Sequence, residues 1–348
     1  MRHIKKRTFY LFIFPLLLSG FCKCKPEFST NANSEPFTIV YGLLNVSETE
    51  HYVKIYKSFV TEGNAYDVVK DIDRYSYKDS IIVSLNEYDA HNNLLRKIAM
   101  KDTLVNNKDS GLFFYPTQIL YAAKAVLNRD YLYEIEIINS YTKNVVKVKE
   151  FVKMVGLVSI TKPAGAELSI TDRAMNFEFY TGENTSMYQV LLKYYYTEDL
   201  MDNTSRHPNP IVWEIGSITD VSPAGTGKII PLTSGAPFFQ KIAESIKDDD
   251  NVKKRHTDSL VLEVYSAGKD WSLYIQSNLP STGINQDRLH YSNIIAYNTE
   301  TGKEKYAMGV FSSRGVTTRQ YRDLTINGSR DSLFFGRYTK HLRFTDIY

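Results

Sequence analysis

The chain has 348 residues and a mass of 40.0 kDa, a length that usually divides into two domains. Hydrophobic residues make up 43% of it and charged residues 23%, which excludes a disordered or fibrous protein. The formal net charge is +3, but the first 21 residues hold four basic residues and no acidic one. The remainder is therefore close to neutral, and we predict no nucleic-acid partner.

Residues 1–21 have the pattern of a signal peptide. The basic start MRHIKKRTFY precedes the apolar run LFIFPLLL, which is too short to span a bilayer. The segment LLLSGFC then resembles the signal of bacterial lipoproteins, in which the cysteine becomes the first mature residue and carries the lipid. We predict export and lipidation at Cys22, although Phe21 stands where such signals usually have a small residue. An ordinary secretion signal is the alternative.

The only cysteines are Cys22 and Cys24. Their position excludes a disulfide framework, a cysteine-ligated zinc site and a buried catalytic cysteine later in the chain. Residues 22–35 are polar, contain proline and show no periodicity. This composition predicts a flexible tether between the anchor and the folded part.

From residue 36 onward, apolar and polar residues alternate in short runs, which is typical of half-buried strands. The residues predicted to share buried faces are Val53 with Ile55; Ile81, Val83 and Leu85; and Tyr131, Tyr133, Ile135 and Ile137. We predict an immunoglobulin-like β-sandwich over residues 36–151. The stretch 127–133 resembles the approach to a penultimate strand in bacterial immunoglobulin-like domains, which implies a tyrosine that closes the corner by donating its hydroxyl to nearby backbone. An exposed binding tyrosine is the alternative.

The alternation continues through a second, larger β-rich domain, predicted over residues 152–348. Its expected strand faces are Phe177 with Phe179; Tyr188, Val190, Leu192, Tyr194 and Tyr196; Leu260, Leu262 and Val264; and Trp271, Leu273 and Ile275. After Pro237 the apolar residues follow helical spacing, which predicts one helical insertion near 237–247. The predicted fold class is therefore mostly β.

Two blocks carry a family resemblance. Residues 37–60 predict a strand, a turn at Gly42 and a second strand; residues 290–313 predict a polar hairpin over 296–305 and a strand near Gly309. They resemble an uncharacterised family of Bacteroidetes outer-membrane lipoproteins, described only as a domain of unknown function. The resemblance implies a lipoprotein that works beside an outer-membrane nutrient importer. It implies no catalytic residue.

The sequence contains no catalytic or metal-binding signature. Its seven histidines form no HExxH or HxxxH pair, and residues 223–228 (PAGTGK) lack the first glycine and the final Ser or Thr of a phosphate loop. The acidic run 248–250 lacks the spacing of a calcium loop. We therefore predict no enzyme activity, no cofactor and no metal.

Aromatic residues reach 13%, with 26 tyrosines. Tyrosine favours interfaces and strands alike, and in the run 194–196 we expect Tyr194 and Tyr196 in the core and Tyr195 at the surface. The leading prediction is a lipid-anchored outer-membrane accessory or binding protein that contacts the membrane and another envelope protein such as an importer. The alternative is a carbohydrate-binding surface lipoprotein, with exposed tyrosines, Trp213 or Trp271 as the platform.

Overall fold

The computed structural model describes residues 35–59, 61, 64–111, 113–279 and 290–346. The predicted signal peptide and Cys22 lie outside the described residues, as does the tether up to its last residue. Strands dominate the described part, so the mostly β fold class is confirmed. Within these ranges, no helix combines the length and apolar character that crossing a membrane requires.

The N-terminal immunoglobulin-like sandwich is confirmed as two facing sheets. In order, the front sheet contains the first half of β19 (Ala307–Tyr321), β1 (Thr38–Leu44), β2 (Glu50–Lys57), β5 (Gln118–Lys124) and the second half of β4 (Leu94–Val105). The back sheet contains the first half of β4, then β3 (Ile82–Tyr88), β6 (Leu132–Asn139), β7 (Asn144–Val148), β17 (Ile294–Asn298) and β18 (Glu304–Lys305), with β8 (Val152–Lys153) also beside β6. Strand β4 connects the sheets, because its first half pairs with β3 and its second half with β5.

The predicted strand faces form the first core, and Val53, Ile135 and Ile137 are among its buried residues. Tyr133 closes the predicted corner. Its hydroxyl oxygen accepts the Asn128 N–H at 2.7 Å and lies 3.0 Å from the Asn128 carbonyl oxygen and 2.8 Å from Glu87 Oε2. The structural role expected for a tyrosine of this stretch is therefore confirmed.

The second unit is built on long strands. Its main sheet runs β14 (Ile211–Thr219), β12 (Met187–Leu200), β16 (Val252–Ala267) and the second half of β19, with β13 (Ser205–Arg206) pairing with the end of β12. A small sheet contains β15 (Gly227–Leu232), β11 (Met175–Tyr180) and β9 (Ser159–Lys162), and β10 (Glu167–Leu168) pairs with β20 (Asp323–Leu324). The alternating residues of β12 face the second core, as predicted.

The helices confirm one prediction and correct another. They are α1 (Ala65–Val68), α2 (Ile72–Tyr75), α3 (Ala236–Ser245), α4 (Lys269–Asn278) and α5 (Asp331–Phe334), with single turns at Lys78–Ser80, Ile326–Arg330 and Lys340–Leu342. Helix α3 is the predicted insertion and buries Phe238, Phe239 and Ile242 in the second core. The predicted strand through Trp271, Leu273 and Ile275 is wrong, because these residues lie in α4. Three apolar residues at alternate positions are too short a run to separate a strand from a helix.

The predicted domain boundary needs a correction as well. Ile294, Ala296, Ala307 and Phe311 belong to the first core, although they fall within the predicted second domain 152–348. Strand β19 pairs in parallel with β1 and then continues antiparallel to β16. The chain thus returns to cover the edge of β1, which would otherwise expose unpaired backbone groups.

Two glycines permit this return. Gly42 lies inside β1 and not at the predicted turn, and a Cβ there would approach the Phe311 ring to 2.6 Å. Gly309 has φ +121°, and its Cβ would meet the Val40 carbonyl oxygen at 1.9 Å. The polar hairpin over 296–305 is confirmed, since Ala296 pairs with Lys305.

Candidate functional site

A cleft of about 830 Å³ opens between the two sheets at one end of the first sandwich. We call it the end cleft. Strand β1 begins there, and β2, β6 and β17 end there. Its lining residues are Glu35, Pro36, Phe37, Thr38, Lys57, Tyr77, Ser80, Ile81, Ile137, Asn139, Tyr141, Thr142, Asn144, Val146, Ala296, Asn298, Lys305 and Tyr306. This volume is typical of sites for small molecules or for a few residues of a partner chain.

The floor of the end cleft is apolar. Ile137, Val146 and Ala296 come from the back sheet, and Ile81 precedes β3. All four are core residues of the sandwich, exposed to 9% or less. The apolar residues that alternate along the strands and fill the core therefore also form the floor of the end cleft, where the two sheets separate.

The rim of the end cleft is aromatic. Tyr141 is 82% exposed and follows an Asn139 side chain that accepts the N–H groups of Tyr141 and Thr142 at 3.0 and 3.1 Å. Tyr306 is 63% exposed and meets Phe37 edge to face, with ring centroids 4.6 Å apart. Exposed rings above an apolar floor are typical of a recognition surface.

The charged residues of the end cleft are the ion pair of Lys305 with Glu35 and a second lysine, Lys57. Lys305 Nζ lies 2.6 Å from Glu35 Oε2, and this lysine lowers the pKa of the Glu35 carboxyl. The Tyr77 hydroxyl lies 2.7 Å from Thr38 Oγ1, and burial raises its pKa. The end cleft therefore offers hydroxyl groups, one ion pair and the Lys57 ammonium beside its apolar floor.

An exposed aromatic turn lies at the same end of the sandwich. Phe113, Phe114 and Tyr115 are 38%, 37% and 51% exposed, and the turn leaves β4 and enters β5 where Val105 pairs with Gln118. Sequence reasoning missed both this turn and the rim tyrosines. Consecutive aromatic residues in a segment between strands were the available signal.

The contacts of this turn hold it in place. The Phe114 N–H donates to the Val69 carbonyl oxygen at 2.9 Å, and Lys108 Nζ donates to the Phe114 carbonyl oxygen at 2.6 Å. The Lys108 ammonium also lies 5.4 Å from the centroid of the Phe113 ring. The exposed rings are therefore fixed by the surrounding chain.

A second set of rings crosses the outer face of the front sheet. Trp271 stacks on Tyr274 at 26°, and Tyr41 stacks on Tyr56 at 29°, but Tyr274 meets Tyr41 at 67° and Tyr56 meets Tyr75 at 85°. Two of these four contacts thus turn the ring planes by large angles. This row does not form the coplanar platform that would favour a carbohydrate.

The tyrosines and tryptophan singled out in β12 and β14 are mainly structural. Tyr194 and Tyr196 are buried and stack with centroids 5.9 Å apart, whereas Tyr195 is half-buried. Trp213 is 8% exposed and lies against Phe238. The prediction of Trp213 as part of a carbohydrate-binding platform is therefore wrong, because Trp213 is a core residue.

One polar cluster brings a hydroxyl, an imidazole and a carboxylate together. Thr197 Oγ1 lies 2.7 Å from His207 Nδ1 and 2.9 Å from both carboxylate oxygens of Asp258. Thr197 is only 3% exposed, so a substrate does not reach its hydroxyl in this arrangement. Over the described ranges, no group of three or more metal-ligating side chains is placed to hold an ion.

In the glycine-containing run 223–228, residues 223–226 connect β14 to β15, and Gly227 and Lys228 begin β15. Lys228 Nζ forms an ion pair with Asp220 and donates to Ser222 Oγ at 2.9 Å. Its ammonium is therefore already engaged by neighbouring side chains. A loop and the start of β15 account for these residues.

No family model matches this chain, and no curated protein matches it. Among solved structures, it is similar to the C-terminal globular domain of an oligosaccharyltransferase from Pyrococcus abyssi, at 11% identity and a TM-score of 0.24, over 65% of this chain and 43% of that one. It is also similar to a Dpr11 immunoglobulin domain solved bound to DIP-gamma, at 10% identity and a TM-score of 0.17, over 58% and 99% of the two chains. The chain thus spans less than half of the first of these proteins, and similarities this low do not indicate a family.

Proposed function

We propose that this protein is an exported, lipid-anchored binding protein of the outer membrane, and that its end cleft binds a segment of another envelope protein. The observation that carries the proposal is the combination of an apolar floor with exposed rim tyrosines in the end cleft. An apolar centre surrounded by aromatic and polar groups is the usual composition of a protein interface.

The position of the end cleft supports a partner close to the membrane. Glu35 lines the cleft, and the sequence places Cys22 thirteen residues before it. Even a fully extended chain of that length spans only roughly 45 Å. A lipid on Cys22 would keep the cleft within that distance of the bilayer, where a nutrient importer would also reside.

The carbohydrate alternative has weaker support. Its candidate Trp213 is a core residue, and the ring row through Trp271 is not coplanar. The exposed ring of Tyr141 remains the best sugar-stacking candidate among the described residues. A glycan is therefore the rival outcome in the binding experiment.

The anchor is tested by Cys22→Ser. We expect the natural chain in the membrane fraction and the variant in the soluble fraction with altered electrophoretic mobility, because three acyl chains bury enough CH₂ groups for stable anchoring. Cys24→Ser is the matched control and should stay membrane-bound. A Cys22→Ser variant that remains in the membrane with unchanged mobility would contradict lipidation.

The end cleft is tested by affinity purification from detergent-solubilised envelope. We expect an importer subunit to co-purify with the natural chain and to be lost with Tyr141→Asp combined with Tyr306→Asp, because both changes place charge on the aromatic rim. Tyr180→Asp is the control, since Tyr180 is 48% exposed on β11 in the second unit. Equal recovery with all three proteins would contradict the proposal, and glycan-array binding that the rim variant abolishes would favour the carbohydrate alternative.

A further inference from the structure

A second cavity, of about 690 Å³, lies where the two units meet. We call it the junction cavity. The chain leaving the first sandwich at 150–153 lines one side, and segments 183–186 and 221–224 of the second unit line another. The start of helix α4 and Ser312 of β19 complete it. Junctions between structural units are a frequent location of ligand sites.

Helix α4 presents an uncapped N-terminus to this cavity. It has ten residues and begins after Gly268, which has extended backbone angles and provides no side-chain cap. The first N–H groups of a helix lack partners within the helix, and the helix dipole adds partial positive charge there. This end is therefore suited to a negatively charged group.

Two buried serines, Ser186 and Ser312, line the same cavity. Ser312 is 1% exposed and Ser186 is 4% exposed. Neither hydroxyl makes a hydrogen bond to any other described residue, whereas the neighbouring Ser313 donates to the Lys153 carbonyl oxygen at 2.7 Å. A Cβ on Gly268 would lie 3.0 Å from Ser312 Oγ, which places this hydroxyl beside the helix start. Both hydroxyls are therefore available to donate to a ligand that enters the cavity, and a charged acceptor there would gain affinity from these hydrogen bonds.

The outer part of the junction cavity carries both signs of charge. Lys153 and Lys269 contribute ammonium groups, and Glu150 and Glu183 contribute carboxylates, all on exposed residues. The carboxylate of Asp270 is engaged by the Tyr291 hydroxyl at 2.5 Å. Mixed charge at the rim suits a ligand with both an anionic and a cationic end.

We propose that the junction cavity binds a small zwitterion, an amino acid or short peptide, through its terminal carboxylate. The carboxylate accepts from the Ser186 and Ser312 hydroxyls and from the first N–H groups of α4. The ammonium group faces Glu150 and Glu183 at the rim. This site is separate from the end cleft, so it stands whether or not the end cleft binds a protein.

Calorimetric titration of the purified full chain in detergent tests this site. The probes are the proteinogenic amino acids and dialanine, and dialanine amide serves as the control that lacks the carboxylate. We expect at least one zwitterion to bind at micromolar to millimolar concentration and the amide to bind at least about tenfold more weakly, the effect of one charge-assisted hydrogen bond. Binding of amino acids but not dialanine would assign the site to free amino acids, and the reverse would assign it to peptides.

Substitutions of residues that line the junction cavity test whether the zwitterion binds there. Ser312→Ala and Ser186→Ala should each weaken binding about tenfold. Ser84→Ala is the matched control, a 4% exposed serine in the first unit whose hydroxyl donates to Asn86. Glu183→Gln changes an exposed residue and tests the ammonium end if a serine variant fails to fold. The proposal is overturned if no probe binds, if the amide binds as well as the acid, or if affinity is unchanged in these variants.

Discussion

Gly309 shows how one missing side chain fixes a contact between distant parts of the chain. Its φ of +121° lies where residues with a Cβ are strained, and the Val40 carbonyl oxygen occupies the space that a Cβ would need. At Gly42, the Phe311 ring likewise occupies the space that a Cβ would need. The absence of a side chain at these two positions allows β19 to lie directly beside β1. The sequence alone does not reveal which strand approaches a given glycine.

We predict that Gly309→Ala lowers the free energy of unfolding by more than about 1 kcal/mol, because the alanine is incompatible with both the backbone angle and the contact. Denaturant unfolding followed by circular dichroism measures the change. Gly111→Ala is the control: its Cβ would meet nothing within 4 Å, so we expect a change within about 0.5 kcal/mol. Equal stability of the Gly309→Ala variant and the natural chain would contradict the close approach.

Among the elements, alternation predicts long strands well and short segments poorly. The face from Tyr188 to Tyr196 is buried as expected, because a strand of fourteen residues repeats the pattern many times. Helix α3 also follows its periodicity. Helix α4 does not show a clear helical periodicity, because its residues are mostly half-buried and its apolar face is narrow. Periodicity identifies an element reliably only when one face is consistently buried.

The return of β19 leads to a prediction about fragments. A chain limited to residues 36–151 lacks Ile294, Ala296 and Phe311 of the first core and leaves β1 as an unpaired edge. We expect this fragment to stay unfolded or to aggregate, because exposed edges pair with other chains. Circular dichroism, NMR dispersion and light scattering provide the measurement, with residues 36–348 as the control. A monomeric fragment with a cooperative unfolding transition would contradict this prediction.

At the scale of the whole molecule, the described tyrosines are divided among the two cores, half-buried positions and the surface. Burial, together with the hydrogen bond to Glu134, raises the pKa of Tyr88 to about 12, and burial raises that of Tyr321 to about 12. Burial also raises the pKa of Tyr188 and Tyr196 in the second core. The high aromatic content therefore reflects two cores rich in rings as well as the exposed rim of the end cleft.

These pKa directions predict a loss of stability in alkaline solution. Unfolded tyrosines ionise near pH 10, whereas the buried ones keep their protons to higher pH, so the unfolded state loses protons first. The tyrosine contribution is complete below about pH 10 and falls as the pH rises towards about 12. Denaturant unfolding at about pH 9 and 11 measures the change, and absorbance at alkaline pH should show delayed ionisation in the folded chain. Full ionisation of the tyrosines near pH 10 in a chain that is still folded would contradict this prediction.

The sequence by itself determined the strands with long alternation, the insertion helix, the tyrosine corner and the prediction of export, because each of these depends on residues close together in the chain. Only the tertiary structure decided which strands are neighbours, where the first unit ends, and that the end cleft and the junction cavity exist. These features depend on contacts between segments more than one hundred residues apart, such as β1 with β19, and local periodicity contains no information about such partners.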